Sequence, residues 1–255
     1  VSERVTARLG ITTAQGKVNA ALELPEEGGA SALYALAGQL ADASVETAQA
    51  ASAEAGRPTT CRAGCDACCH HAVPLTAIEV VAIRALVASM PEPTQSKVLA
   101  RFQGAVHHLE AAGVGDMLRR SARGERVPVG AAYASANLPC PFLEAHQCTI
   151  YGARPMVCRE YGVSTPPSRC HAPTADALPE RIPPALSVSN ALAVISRAVW
   201  PETPARTPLV WALSPNLDPA CSPDETDARD PDPDRFPRQP GKDLLQRLLD
   251  GLRGR

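Results

Sequence analysis

A chain of 255 residues with a net charge of −2 offers no electrostatic reason to expect nucleic acid or an anionic membrane surface as its partner. Apolar residues make up 45 % of it, enough for a core, but aromatics only 4 %, so Leu, Val, Ile and Ala must fill that core. The 25 prolines demand long irregular stretches, and no run approaches the ~18 apolar residues of a membrane span.

Val1–Val5 leads into no apolar segment of the kind that targets export, so the expected compartment is the cytoplasm. There thiols stay reduced, and clustered cysteines bind metal more often than they pair. Residues 1–29 read as an N-terminal extension, with a short helix over Val5–Leu9 as one option and Pro25-Glu26-Glu27-Gly28-Gly29 as a break. Residues 30–55 read as a helix: Leu33, Leu36, Leu40 and Val45 lie near one face, alanine favours the conformation, and Gly56 and Pro58 end it.

The first cysteine segment follows, Cys61-Arg62-Ala63-Gly64-Cys65-Asp66-Ala67-Cys68-Cys69. Wound as a helix, it would place Cys61, Cys65 and Cys68 on one face, while Gly64 equally permits a loop. Thr76 with Glu79 makes a capping box that starts a helix to about Met90. Further helices are predicted over Thr94–Ala111 and around Gly115–Arg120, then a loop over residues 121–139. Ile150-Tyr151 reads as extended. Pro155 opens a short helix that carries Cys158 to Tyr161, and Pro166-Pro167 returns the chain to loop before Cys170. Ser187–Trp200 is a core helix.

The predicted architecture is mainly α, a helical cysteine-cluster domain over residues 30–213 with few short strands around a Cys-rich metal site. A Pro/Asp-rich flexible linker over 214–240 follows, then a short amphipathic helix within 241–255 that carries Leu244, Leu245, Leu248, Leu249 and Leu252. That helix is expected to dock on the domain surface or on an unidentified protein partner. Nucleic acid and membrane are not expected as partners.

Eight of the nine cysteines, Cys61, Cys65, Cys68, Cys69, Cys140, Cys148, Cys158 and Cys170, lie between positions 61 and 170. Four thiolates complete a tetrahedral zinc site or hold one iron–sulfur cluster, so eight suit two such sites or one polynuclear centre. Adjacent side chains diverge, so Cys68 and Cys69 face two neighbouring metals, or one of them is a spare or bridging thiol. Zinc fits any four thiolates, and iron–sulfur fits the cysteine-only character. Arg154 and Arg159, and less so Arg62 and Arg169, flank these cysteines and would offset thiolate charge or donate to sulfur. His70, His71, His146 and His171 read as flanking polar residues. The spacing of Cys61, Cys65 and Cys68 also matches radical S-adenosylmethionine enzymes, but no alternation of strands and helices follows it. Cys221 stands apart in the acidic, proline-rich stretch.

Together the pattern C-x3-C-x2-C-C, then Cys140-Pro141-Phe142-Leu143, Cys148-Thr149-Ile150-Tyr151, Arg154-Pro155-Met156-Val157-Cys158-Arg159 and Cys170, resembles the bacterial YkgJ-type cysteine-cluster family. The resemblance implies a domain that chelates zinc or iron, with those eight cysteines as ligands and Cys221 outside the set. The leading reading is an iron–sulfur cluster or iron as cofactor with a redox or maturation role, and the alternative is a zinc-stabilised binding module without catalysis. Some larger relatives are similar to flagellin lysine N-methylases, which adds protein-lysine modification as a third reading.

Overall fold

A computed structural model describes residues 5–171, 178–214 and 231–254. The architecture is mainly α, with short antiparallel strand pairs. The long helix α1 (Ala30–Glu54) is central. Its face of Leu33, Leu36, Ala37, Leu40 and Ala41 is buried, and its alanine-rich sequence costs little helical entropy. Gly56, at φ +75°, closes it: the Gly56 amide donates to Ala53 and the Arg57 amide to Ser52, satisfying two terminal carbonyls.

Residues 5–24 are a hairpin rather than a helix. β1 (Val5–Thr13) pairs antiparallel with β2 (Gly16–Leu24), from Thr13 opposite Gly16 to Val5 opposite Leu24. The physical reason is a period of two: Val18, Ala20, Leu22 and Leu24 alternate with polar positions and are buried. That face lies on α1 in the same core as α8 (Val188–Val199) and α9 (Gly241–Leu252). Leu244, Leu245 and Leu248 of α9 face this core, so the apolar stripe expected on residues 241–255 is spent within the chain. Gly241 allows the approach, since a Cβ there would run into the Pro25 carbonyl oxygen.

The expected linker is ordered over residues 231–240. Phe236 is buried and stacked on Trp200 at 6.1 Å, the Trp200 Nε1–H donates to the Asp232 carbonyl at 2.9 Å, and β10 (Gln239–Pro240) pairs with β3 (Glu27–Gly28). One aromatic anchor outweighs a composition that, averaged over the stretch, reads as unstructured. The remainder of that linker and Cys221 lie outside the described residues.

α2 (Ala77–Ala88) begins at the predicted capping box and is apolar on both sides, because it separates two cores. Ile78, Val81 and Ala82 face the α1 core, while Val80, Ile83 and Val87 face a second core with Phe102, Phe142, Ile150 and Leu209. α3 (Glu92–Ala111) and α4 (Val114–Ala122) match expectation, and with Trp211 and α5 (Val129–Ala136) they form a third cluster. α5 lies in the stretch expected to be loop; Tyr133 buries its ring and draws that turn onto the cluster.

Candidate metal centre

Four segments deliver the cysteines. In the first, the Thr60 amide donates to the Val163 carbonyl at 2.9 Å and its hydroxyl to that of Thr165 at 2.5 Å, which pins the loop to β7 (Gly162–Val163). The loop turns at Gly64, φ +79°, and a single 3-10 turn over Ala67–His70 follows. The continuous helix that would align Cys61, Cys65 and Cys68 does not form. Ala67 fills a small apolar cluster with Val163 and Cys170, and Cys61 stays exposed.

The second segment is a tight hairpin, β5 (Leu143–Glu144) against β6 (Gln147–Cys148). Its core anchor is Phe142, packed edge-on against Phe102 at 5.1 Å. The Cys140 amide donates to the Cys69 carbonyl at 2.7 Å, which joins the first two segments backbone to backbone. Residues 151–153 form a 3-10 turn rather than the expected extension, held by the Tyr34 hydroxyl donating to the Ala153 carbonyl at 2.7 Å.

The third segment is α6 (Met156–Glu160), which carries Cys158 as the sequence predicts. Its start is fixed by a residue the sequence reading assigned only to α2. The buried Glu79 carboxylate accepts from the Thr76 amide (2.7 Å) and hydroxyl (2.9 Å) through Oε2, and from the Met156 amide (2.8 Å) through Oε1. One side chain therefore caps two helix N-termini. In the fourth segment, the single-turn helix α7 (Ser168–His171) replaces the expected loop and buries Cys170. His71 bonds the Cys170 carbonyl at 2.7 Å.

All eight of these cysteines are free thiols. Cys158 lies in electrostatic reach of Cys140, Cys148 and Cys68, and Cys140 and Cys148 each lie in reach of Cys68. Cys170 feels Cys61, Cys68 and Cys65. Cys68 is thus common to two neighbourhoods, one with Cys140, Cys148 and Cys158 and one with Cys61, Cys65 and the buried Cys170. Cys69 hydrogen-bonds Cys68. Burial pushes the Cys140 thiol up to about 12 and holds Cys148, Cys158 and Cys170 above the usual thiol range. The hydrogen bond with Cys69, followed by burial, does the same for Cys68. In the metal-free protein these are neutral thiols.

The two arginines singled out by the sequence differ. Arg159 is turned from the thiols: its buried guanidinium donates to both Asp42 carboxylate oxygens at 2.7 Å and to the Arg154 and Gly152 carbonyls. Gly38 of α1 makes room, since a Cβ there would stand 3.3 Å from the guanidinium. Arg154 stacks on the Tyr151 ring at 3.8 Å, and its charge favours the thiolate forms of Cys68 and Cys148. Its Nε–H is buried with no hydrogen-bond partner among the described residues.

Among the described residues, no three His, Cys, Asp or Glu side chains already stand as a formed metal site. The chemistry of the donor set nonetheless fits a thiolate-held metal: soft ligands from four segments, a cation beside two of them, and a buried N–H that a metal-bound thiolate would satisfy.

Three of the four histidines surround one carboxylate. The Asp66 carboxylate lies 2.8 Å from His146 Nδ1 and 4.0 Å from His70 Nε2 and from His171 Nε2. The His146 hydrogen bond holds the Asp66 carboxyl below the usual carboxylate range. The only hint in the sequence is that each of the four is at most two residues from a cysteine.

No curated protein and no solved structure matches the chain. A family model matches residues 60–175, the stretch that holds all eight clustered cysteines. Those residues therefore form a domain of the CxxCxxCC family, described as a "putative zinc- or iron-chelating domain".

Proposed function

We propose that the domain holds iron in a polynuclear iron–sulfur centre and serves a redox or maturation role in the cytoplasm. What supports this reading is that four segments deliver eight free thiols, with Cys68 in electrostatic reach of both groups of them. Two independent mononuclear sites would need two separate groups of four thiols. A continuous field with one shared member suits a centre whose ligands spread over several metal atoms.

Cys68, Cys140, Cys148 and Cys158 would hold the centre from one side, and Cys61, Cys65 and Cys170 from the other. A bound cluster supplies one-electron chemistry. The chain's own part is to exclude water through Phe142 and Ile150, and to place the Arg154 charge beside sulfur, which favours the more reduced state. The test is anaerobic purification with iron, sulfide and zinc analysis and a visible spectrum. The expected result is a brown protein containing iron and acid-labile sulfide. Colourless protein loaded with zinc alone, after attempted iron–sulfur reconstitution, would instead make the same thiols a structural zinc centre.

A further inference from the structure

We propose that Asp66, His70, His146 and His171 form a second metal site, made of nitrogen and oxygen donors, for a divalent cation of the zinc or ferrous type. Three imidazoles from three separate segments converge on one carboxylate. His146 Nδ1 is 2.8 Å from Asp66 Oδ2, His70 Nε2 is 4.0 Å from the same oxygen, and His171 Nε2 is 4.0 Å from Oδ1. The His70 and His171 rings lie 6.1 Å apart, centre to centre. Three imidazoles and a carboxylate are a donor set that zinc and ferrous iron accept, and the carboxylate offsets half of the cation's charge.

Two further observations point to a ligand. The His70 Nδ1 atom is buried and has no partner among the described residues. Its ring therefore has Nε2 turned to the carboxylate and Nδ1 unspent, so no other hydrogen bond among the described residues holds the ring in place. The second is the turn that presents His146. Ala145 and His146 occupy the left-handed region, at φ +47° and +62°, as the two central residues of the β5–β6 hairpin. That turn favours glycine and asparagine, and a histidine there is strained. The strain sets an 79 % exposed imidazole against a carboxylate eighty positions away in sequence. A surface ion pair alone gives little in return for it.

The four donors are not closed on one point. A tetrahedral ion bonded at about 2.0–2.1 Å needs neighbouring donors about 3.3 Å apart. The three carboxylate–imidazole separations of 2.8, 4.0 and 4.0 Å bracket that value and each needs a shift of less than about 1 Å, while the His70 and His171 rings, 6.1 Å apart, must also turn their nitrogens toward the ion. His146 and His171 are exposed enough to move this far and to admit an ion from solvent. The site needs none of the eight thiols and goes beyond the proposed iron–sulfur centre.

Cobalt(II) separates the two sites. Thiolate-bound cobalt absorbs strongly in the near ultraviolet through sulfur-to-metal charge transfer, and cobalt held by imidazole and carboxylate does not. The full-length, reduced, metal-free protein is titrated anaerobically with Co2+ while bound metal is counted by equilibrium dialysis. The expected result is one equivalent that binds without sulfur charge transfer. Asp66→Asn should weaken that equivalent at least about 100-fold and leave any thiolate absorbance in place. His146→Asn should do the same without loosening the fold, because asparagine suits the left-handed turn better than histidine. An absent equivalent, or one that both variants retain, would overturn the proposal. Loss of the sulfur bands with this equivalent intact would count against the thiol centre and leave the proposal standing.

Discussion

Replacing Glu79 by alanine tests whether one buried carboxylate holds the cysteine segments to the scaffold. The side chain is fully buried and accepts three hydrogen bonds, two from Thr76 and one from the Met156 amide. Truncation removes the carboxylate half of the α2 capping box, with Thr76 still the N-cap, a loss of about 1 kcal/mol. It also leaves the Met156 N–H buried and unpaired, which costs about 1–3 kcal/mol. The expected loss is about 2–4 kcal/mol, or about 4–16 °C in melting temperature for a domain of this size. The effect should depend on pH with a definite sign. Burial raises the Glu79 carboxyl from its ordinary 4.5, against the pull of its three donors. A raised carboxyl contributes its full stability below the unfolded value, where both states hold the proton, and that contribution is lost as pH rises through the folded value. The deficit of Glu79→Ala should therefore be largest below pH 4.5 and shrink as pH rises. Urea unfolding of both proteins at matched metal content, followed by circular dichroism from pH 4 to 8, measures it. A loss below about 1 kcal/mol, or a deficit that grows with pH, would refute the idea that this carboxylate clamps α2 to α6.

Three more outcomes follow from the site and the core. Cys158→Ser should lose metal while Cys221→Ser keeps it, as measured by metal analysis of the two proteins purified alike; equal loss in both would place the ligand boundary elsewhere. Because burial holds Cys140, Cys148 and Cys158 in the neutral thiol form, metal uptake at pH 7 must expel protons, so affinity should rise with pH and a weakly buffered solution should acidify on loading. Metal uptake without proton release would show that the ligands were already thiolates. Phe236→Ala should cost about 3–5 kcal/mol, since the ring is buried against Trp200, and thermal melting of the variant checks whether residues 231–240 belong to the core.

What could be read from the sequence was local. The Thr76/Glu79 box, the glycine stop after α1 and the short helix behind Pro155 each rest on residues within a few positions of one another, and each is present. The hairpin over 5–24 was equally local; its alternation of Val18, Ala20, Leu22 and Leu24 carries a strand period that the neighbouring alanines mask. Other features were not legible because they join distant positions. The Met156 contact of Glu79, the diversion of Arg159 to Asp42 and the meeting of Asp66 with His146 span 77, 117 and 80 positions. Spacing in a sequence identifies which cysteines are soft donors, but only the fold decides which of them share a neighbourhood. Phe236 makes the same point for stability, since its weight comes from Trp200 and not from the acidic residues around it.

The α1 core is closed by α9, and α9 is translated after every cysteine of the cluster. Roughly eighty residues separate Cys170 from the end of α9, so at about 5–20 residues per second some 4–16 s pass between the emergence of the eighth thiol and that of the helix that seals the scaffold. During that interval the thiols are open to a metal donor, to oxidants and to one another. Delivery of metal to the nascent chain would thus meet a flexible set of ligands, whereas delivery to the finished protein would begin at Cys61, the exposed thiol among the described residues.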